Sequence, residues 1–296
     1  MKINFEQLYT FLTIARSGGV WRASEQLNLS QPAVTARIKN LEESLGAALF
    51  DRAHGMALTK RGERLVRYAE QYLQLNDLIQ RDIADPEGID LHLRIGVAET
   101  LVQAWLPEFI ACLRHDFPKL DIEIVVDISV NLREALLNRS IDLALLMGPV
   151  SEYSVDNVAL TEFELCWYCA AGAELPDDPQ DVFRSNPVVT YARSTRPHRE
   201  LKAALYERYG PGISLFPSSS LSACFRMVAS GLGVGALPSM LGAQEVEAGR
   251  VRAFDPGWRP GALRFTASYL GEPQSFIAQN AAQVAREVAK SFDRNI

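Results

Sequence analysis

Residues 30–46, SQPAVTARIKNLEESLG, leave the backbone little choice. The Ser30 hydroxyl can accept hydrogen bonds from the free N–H groups of a helix start, and Pro32 falls in the first turn, where a missing N–H costs nothing. Val34, Ile38, Leu41 and Leu45 then recur in steps of three and four, which makes one face apolar, and Gly46 supplies the stop. Gln31, Ala33, Thr35, Arg37 and Lys39 are left towards the other faces, which are polar, basic and slim. Just upstream, Ala23, Leu27 and Leu29 give a shorter helix and a turn their core. Two helices so joined match a helix-turn-helix whose second helix enters a DNA major groove. A plain helical hairpin shows the same amphipathy, so the decision rests on sequence detail.

The flanks supply that detail. Phe5, Leu8, Phe11, Leu12 and Ala15 form one helical stripe suited to support the pair from behind. Residues 49–52 and 56–58 flank His54-Gly55, a turn, and read as a short hairpin wing from which Arg52 can reach a minor groove. Thr59 is placed to cap a further helix over about residues 64–84, which stops before the turn-rich Asp85-Pro86-Glu87-Gly88. Along it Leu65, Tyr68, Tyr72, Leu75 and Ile79 make a heptad seam, too narrow for a globular core and suited to a partner helix. The competing reading is a helix lying on its own chain.

Residues 5–65 resemble the winged helix-turn-helix of LysR-type transcriptional regulators. The resemblance is carried by Ala23 and Leu27, the run Ser30-Gln31-Pro32-Ala33-Val34, Leu41-Glu42, Leu45-Gly46, Leu49-Phe50, Arg52, and Leu58-Thr59 followed by Gly62. Thr35, Ala36 and Trp21 depart from the commoner family residues. The resemblance implies contact with double-stranded promoter DNA through Ser30, Gln31, Pro32, Ala33, Thr35, Arg37, Lys39 and Arg52, and assembly as a dimer or a dimer of dimers, a homotetramer.

Charge agrees with that division. The formal net charge is −6, yet residues 1–65 hold nine Lys/Arg against six Asp/Glu, leaving 21 against 30 for the remainder. Only the first segment suits phosphate. With 48% hydrophobic residues, the chain can bury substantial cores. It opens without a charged start and apolar run, and no stretch approaches the roughly 18 apolar residues of a membrane span, so a cytoplasmic protein is expected. Of Cys112, Cys166, Cys169 and Cys224, the middle pair forms a CxxC in a segment that reads as a strand. Residues three apart on a strand face opposite ways, so buried free thiols are expected, with a redox-responsive regulator using Cys166 and Cys169 as the alternative. The four histidines show no ligand spacing, and neither metal nor cofactor is proposed.

From Leu91 the pattern alternates between strand and helix. Strands are expected at residues 92–98, 121–127, 141–147, 165–170, 187–191, 213–216, 233–237 and 263–270. The helices between them fall at about 100–114, 130–138, 197–209 and 221–230, with a last one at 274–292. This rhythm predicts parallel pairing and two α/β lobes: lobe I from about residues 89–162 and 266–296, lobe II from 163–265. The expected organisation is a winged helix-turn-helix (1–62), a linker helix and hinge (63–88) and a two-lobed α/β domain (89–296). Ligands of open parallel sheets sit at strand carboxyl ends, here the interlobe cleft.

This second part resembles the effector-binding domain of the same regulators, similar to periplasmic binding proteins, with Ile141-Asp142-Leu143-Ala144 and Gly231-Leu232-Gly233 as the sharpest echoes. The resemblance implies a cleft lined by Thr100, Leu101, Ser129, Asn131, Met147, Gly148, Tyr191, Arg193, Ser194, Arg196, Ser219 and Ser220. Thr100, Ser129 and Ser220 are equally good helix N-caps in any protein. Hydroxyls and helix N-termini suit a polar, anionic metabolite, and Arg193 and Arg196 are placed to grip one, whereas Glu99 opposes a carboxylate. A solute-binding protein without regulatory role would account only for the last two hundred residues. An enzyme has no support: no GxSxG or P-loop is present, and Gly231–Gly235 opens no helix. The expectation is therefore a DNA-binding regulator controlled by a small molecule.

Overall fold

A computed structural model describes residues 4–51, 56–79, 92–272 and 275–294 of the chain. Arg52, the His54-Gly55 turn, the hinge at Asp85-Pro86-Glu87-Gly88 and the side chain of Ile79 lie outside the described residues. The chain divides into two compact units, Met1–Ile89 and Asp90–Ile296.

In the first unit, α1 (Phe5–Ser17) starts in a capping box in which Asn4 and Gln7 satisfy each other's backbone N–H groups. Helix α2 (Val20–Gln26) follows, then α3 (Gln31–Leu45), opened by the Ser30 side chain and closed by Gly46 at φ 62°. Val34, Ile38 and Leu41 of α3 are buried against Leu8, Phe11 and Leu12 of α1. The wing pairs β1 (Phe50–Asp51) antiparallel with β2 (Ala57–Leu58).

Helix α4 spans Lys60–Ile79, beginning four residues before the expected 64. Thr59 does cap it, its Oγ1 accepting from the Gly62 N–H at 3.1 Å. The start moves forward because Gly62 is a docking residue and not a break: a Cβ there would lie 2.2 Å from the Leu49 carbonyl oxygen. The expected seam divides accordingly. Leu65, with Val66, Ala69 and Leu73, packs on the core of its own unit, and Arg16 of α1 pairs with Glu70 at 3.0 Å. Tyr68, Tyr72 and Leu75 stay exposed.

The second unit holds two lobes. Lobe I consists of β3 (His92–Val97), α5 (Glu99–Ala104), α6 (Leu106–Asp116), β4 (Asp121–Val126), α7 (Ser129–Leu137), β5 (Leu143–Met147) and β6 (Val155–Phe163). Lobe II follows with β7 (Leu165–Ala170), α8 (Pro179–Ser185), β8 (Val188–Tyr191), α9 (Arg196–Tyr209), β9 (Leu215–Ser218), α10 (Leu221–Ala229), β10 (Val234–Pro238), α11 (Ser239–Glu247) and β11 (Val251–Phe254). The chain then returns to lobe I through β12 (Leu263–Leu270) and α12 (Phe276–Arg294). The sheet orders are β4-β3-β5-β12-β6 and β11-β7-β10-β8-β9.

Pairing is parallel for β3 with β4 and β5, and for β8 with β9 and β10. It is antiparallel where β12 meets β5 and β6, and where β7 meets β10 and β11. The all-parallel expectation fails at the crossings, because β6 passes directly into β7 and no helix turns the chain round. The single helix expected over residues 100–114 is two, broken at Trp105 (φ −143°), whose indole is locked in the core edge-on to Phe109. Pro107 suits the first turn of α6, so the break carries no obvious mark in the sequence. Strands β6 and β11 and helices α8 and α11 were not anticipated.

The Asp142 of the IDLA echo has a structural task. Its carboxylate takes Nε and Nη2 of Arg94 at 3.1 and 2.9 Å, clamping the start of β5 to β3. Helix α12 lays Ala278, Ala281, Ala282, Ala285 and Ala289 against the lobe I core, where small residues allow close approach.

Candidate functional sites: reading helix and interlobe cleft

On α3 the packed face leaves Gln31, Pro32, Thr35, Ala36, Lys39 and Asn40 exposed, with Ala33 half-buried. Ser30 holds the helix start, its hydroxyl accepting from the Ala33 N–H at 3.4 Å. Lys39 lies 3.7 Å from Glu43 along the same face. Arg37 departs from the expected groove-facing role: its guanidinium turns back to α1, donating to Glu6 Oε2 at 2.8 Å and Thr10 Oγ1 at 3.3 Å. It fixes the pitch of α3 on α1. Trp21, the unusual aromatic of α2, is 57% exposed.

The cleft of the second unit opens where β3, β5 and β8 end. Its walls carry Glu99, Thr100, Asp127, Ser129, Met147 and Phe265 from lobe I, and Tyr191, Thr195, Ser218, Ser219 and Leu221 from lobe II, around a cavity of about 60 Å³. Ser220 caps α10, its Oγ accepting from the Ala223 N–H at 3.2 Å. The other two expected caps do different work. Thr100 sits inside the first turn of α5, almost wholly buried, and the Ser129 Oγ accepts from the Met147 N–H at 3.0 Å, tying α7 to β5. Helix α7 has no side-chain cap; Asp127, just ahead of it, takes the Ile128 N–H at 2.7 Å and the Asn131 side-chain amide at 2.9 Å.

Glu99 reaches across the cleft. Its carboxylate accepts from the Leu221 and Ser222 N–H groups at 2.5 and 3.0 Å and from the Ser222 hydroxyl at 2.6 Å. Burial pushes its pKa up, but the Ser222 hydroxyl and amide, the Leu221 amide and the Gln103 side chain outweigh burial and hold it below the ordinary value of 4.5.

Comparison with known proteins finds the same two parts. The sequence pattern of the "LysR substrate binding domain" matches residues 86–290, and that of the "bacterial regulatory helix-turn-helix protein, lysR family" matches residues 5–63. The chain belongs to the LysR family. It is thus a transcriptional regulator and not an enzyme. Among LysR relatives, it is similar to the HTH-type transcriptional regulator GltR of Bacillus subtilis, at 28% identity over 85% of each chain. It is also similar to YofA of Bacillus velezensis, at 32% identity over 78% of this chain and 80% of that one. The fold matches full-length CbnR, solved in complex with its target DNA, with a TM-score of 0.69, 19% identity and coverage of 97% of this chain and 100% of that one.

Of the twelve residues that the LysR resemblance assigned to the cleft, Thr100, Ser129, Met147, Tyr191 and Ser219 line it. Leu101 is fully buried in the lobe I core, and Asn131 is turned to Asp127. Gly148 is a packing residue, since a Cβ there would meet Thr266 Oγ1 at 1.9 Å. Arg193 borders a different hollow beside His198 and Lys202, the Ser194 carbonyl accepts from Arg199, and Arg196 lies 3.4 Å from Glu200 on its own helix. None of these three is in the cleft lining: Arg193 faces the other hollow from the segment ahead of α9, and Arg196 is turned along α9 to Glu200. Asp127, Thr195, Ser218 and Phe265 were missed. Asp127 ends a strand directly before a helix, which was the available signal.

The thiols separate as the strand geometry requires. Cys169 packs with Trp167 and Phe183 on one face of β7, while Cys166 packs with Tyr168 and Phe225 on the other. Burial raises the Cys169 pKa against the lowering effect of Arg252, and burial pushes that of Cys224 up to about 11. With the two side chains of the CxxC on opposite faces of β7, the geometry does not favour a disulfide between Cys166 and Cys169.

Proposed function

We propose that this regulator acts in the cytoplasm on promoter DNA, reading the major groove with Gln31, Pro32, Ala33, Thr35 and Lys39 of α3, with Ser30 at its start and Arg52 in the minor groove, and that a small molecule bound in the interlobe cleft changes that interaction. The observation that carries the reading is the cleft itself: hydroxyls and two carboxylates converge, at strand ends, on a cavity walled by Met147 and Phe265. The exposed Tyr68, Tyr72 and Leu75 of α4 support pairing of two chains, and a homotetramer would follow from further contacts between second units. The working boundaries are 1–62 for the reader, 63–88 for the linker and 89–296 for the effector domain.

The test is fluorescence anisotropy of the full chain on a fragment of its own promoter, titrated with a metabolite panel. At least one compound is expected to shift the DNA affinity several-fold, and the shift is expected to vanish when the cleft is filled by Thr100→Trp. A response that survives filling places the effector elsewhere.

A further inference from the structure

The N-terminus of α10 is the natural anion seat of this cleft, and it is already taken. Glu99 belongs to lobe I and α10 to lobe II, so its bonds to the Leu221 amide and to the Ser222 amide and hydroxyl run between lobes. The Ser220 hydroxyl adds a contact at 3.4 Å. Gln103, one turn after Glu99, donates to both Glu99 Oε1 at 3.2 Å and Ser222 Oγ at 2.9 Å. Open amides backed by a helix dipole are where a ligand carboxylate would sit. Here the chain supplies the carboxylate itself.

The remaining charge on the cleft lining is the Asp127 carboxylate, and among the lining residues there is no Lys, Arg or His. An organic acid entering would meet two carboxylates with no fixed cation among the lining residues to offset them, and could take the α10 amides only by expelling Glu99. A cation does the reverse, being attracted to both carboxylates while Glu99 keeps its seat. At about 60 Å³ the cavity holds roughly two waters, so entry requires the lobes to part.

We propose that Glu99 sets the charge preference of the cleft: by filling the α10 N-terminus it bars organic acids and makes the site a receptor for a small organic cation, an alkylammonium or guanidinium whose apolar body lies against Met147 and Phe265. This rests on the cleft being the effector site.

The test uses the full chain without DNA, by calorimetry and thermal shift, with probes matched in body and opposite in charge: benzylammonium and butylammonium against benzoate and butyrate. The unsubstituted protein is expected to bind the ammonium probes at least tenfold more tightly. Glu99→Ala is expected to reverse the order, because the α10 amides open to the carboxylates. Glu99→Gln, nearly isosteric, gives a readable protein if the alanine variant folds poorly, and is expected to lose the ammonium preference. Tighter carboxylate binding in the unsubstituted protein, the same order in all three proteins, or no binding of any probe overturns the proposal. A ligand that obeys the expected order yet leaves DNA affinity unaltered instead overturns the effector reading, so the two failures are distinguishable.

Discussion

A carboxylate that takes two backbone amides and a hydroxyl is anchored more firmly as an anion than as an acid, and this gives Glu99 a pH signature. Its folded pKa lies below the ordinary value of 4.5, so its contribution to folding is fully present above that value and is lost as the pH falls through the lowered one. The thermal midpoint of the second unit is therefore expected to fall more steeply below pH 4.5 in the parent chain than in Glu99→Gln, by calorimetry across acid pH. Parallel curves would show that the carboxylate is unlinked to folding. Single residues were legible in the sequence where their partner is close by. Ser30, Thr59 and Ser220 could be read as caps because the groups they satisfy lie three residues away. Arg37 and Glu99 could not, since Glu6 is 31 positions upstream of the first and Ser222 is 123 beyond the second. No local spacing records such pairs.

At the scale of elements, α3 and α4 each present two faces with separable consequences. Gln31 is exposed at the reading end of α3, so Gln31→Ala is expected to cost about 1–3 kcal/mol at the cognate site with folding stability unchanged. Arg37→Ala is expected to act the other way round first, removing a partly exposed pair with Glu6 worth up to about 1 kcal/mol of folding stability, seen in urea denaturation. On α4, Tyr72→Glu with Leu75→Glu is expected to shift sedimentation towards monomer and to weaken DNA binding while leaving the helix folded, because the core contacts come from Val66, Ala69 and Leu73. The longer helices were plain from apolar spacing and caps, whereas the short α8 and α11 were not. Strand direction was not, because β7 and β12 read like any half-buried strand, and only the crossings make them antiparallel. The break at Trp105 was equally hidden, since a proline at a helix start and a proline within an apolar run look alike.

For the whole molecule, the two-part division was legible from the change of period near residue 90 and from the uneven charge, and two family patterns match the chain, over residues 5–63 and 86–290. The chemistry of the cleft was only half legible. Its hydroxyls were found, but its two arginines point away and its anion seat is self-occupied. Thr100→Val, which removes one buried hydroxyl from the cleft wall, is expected to weaken effector binding by about 0.5–1.5 kcal/mol in calorimetry, with DNA affinity in the absence of effector unchanged. Finally, the two lobe I strands from which the chain leaves for lobe II and into which it returns are hydrogen-bonded neighbours at the crossing. Leu263 pairs with Phe163, and Arg264 faces Glu162 with its Nε 3.1 Å from the carboxylate. A paired ribbon bends readily across its width and resists shear and twist, so it behaves as a door hinge with one pin. If the lobes swing on that pin, a ligand is expected to report by how far it holds the door ajar: a graded angle, the same in kind for every ligand.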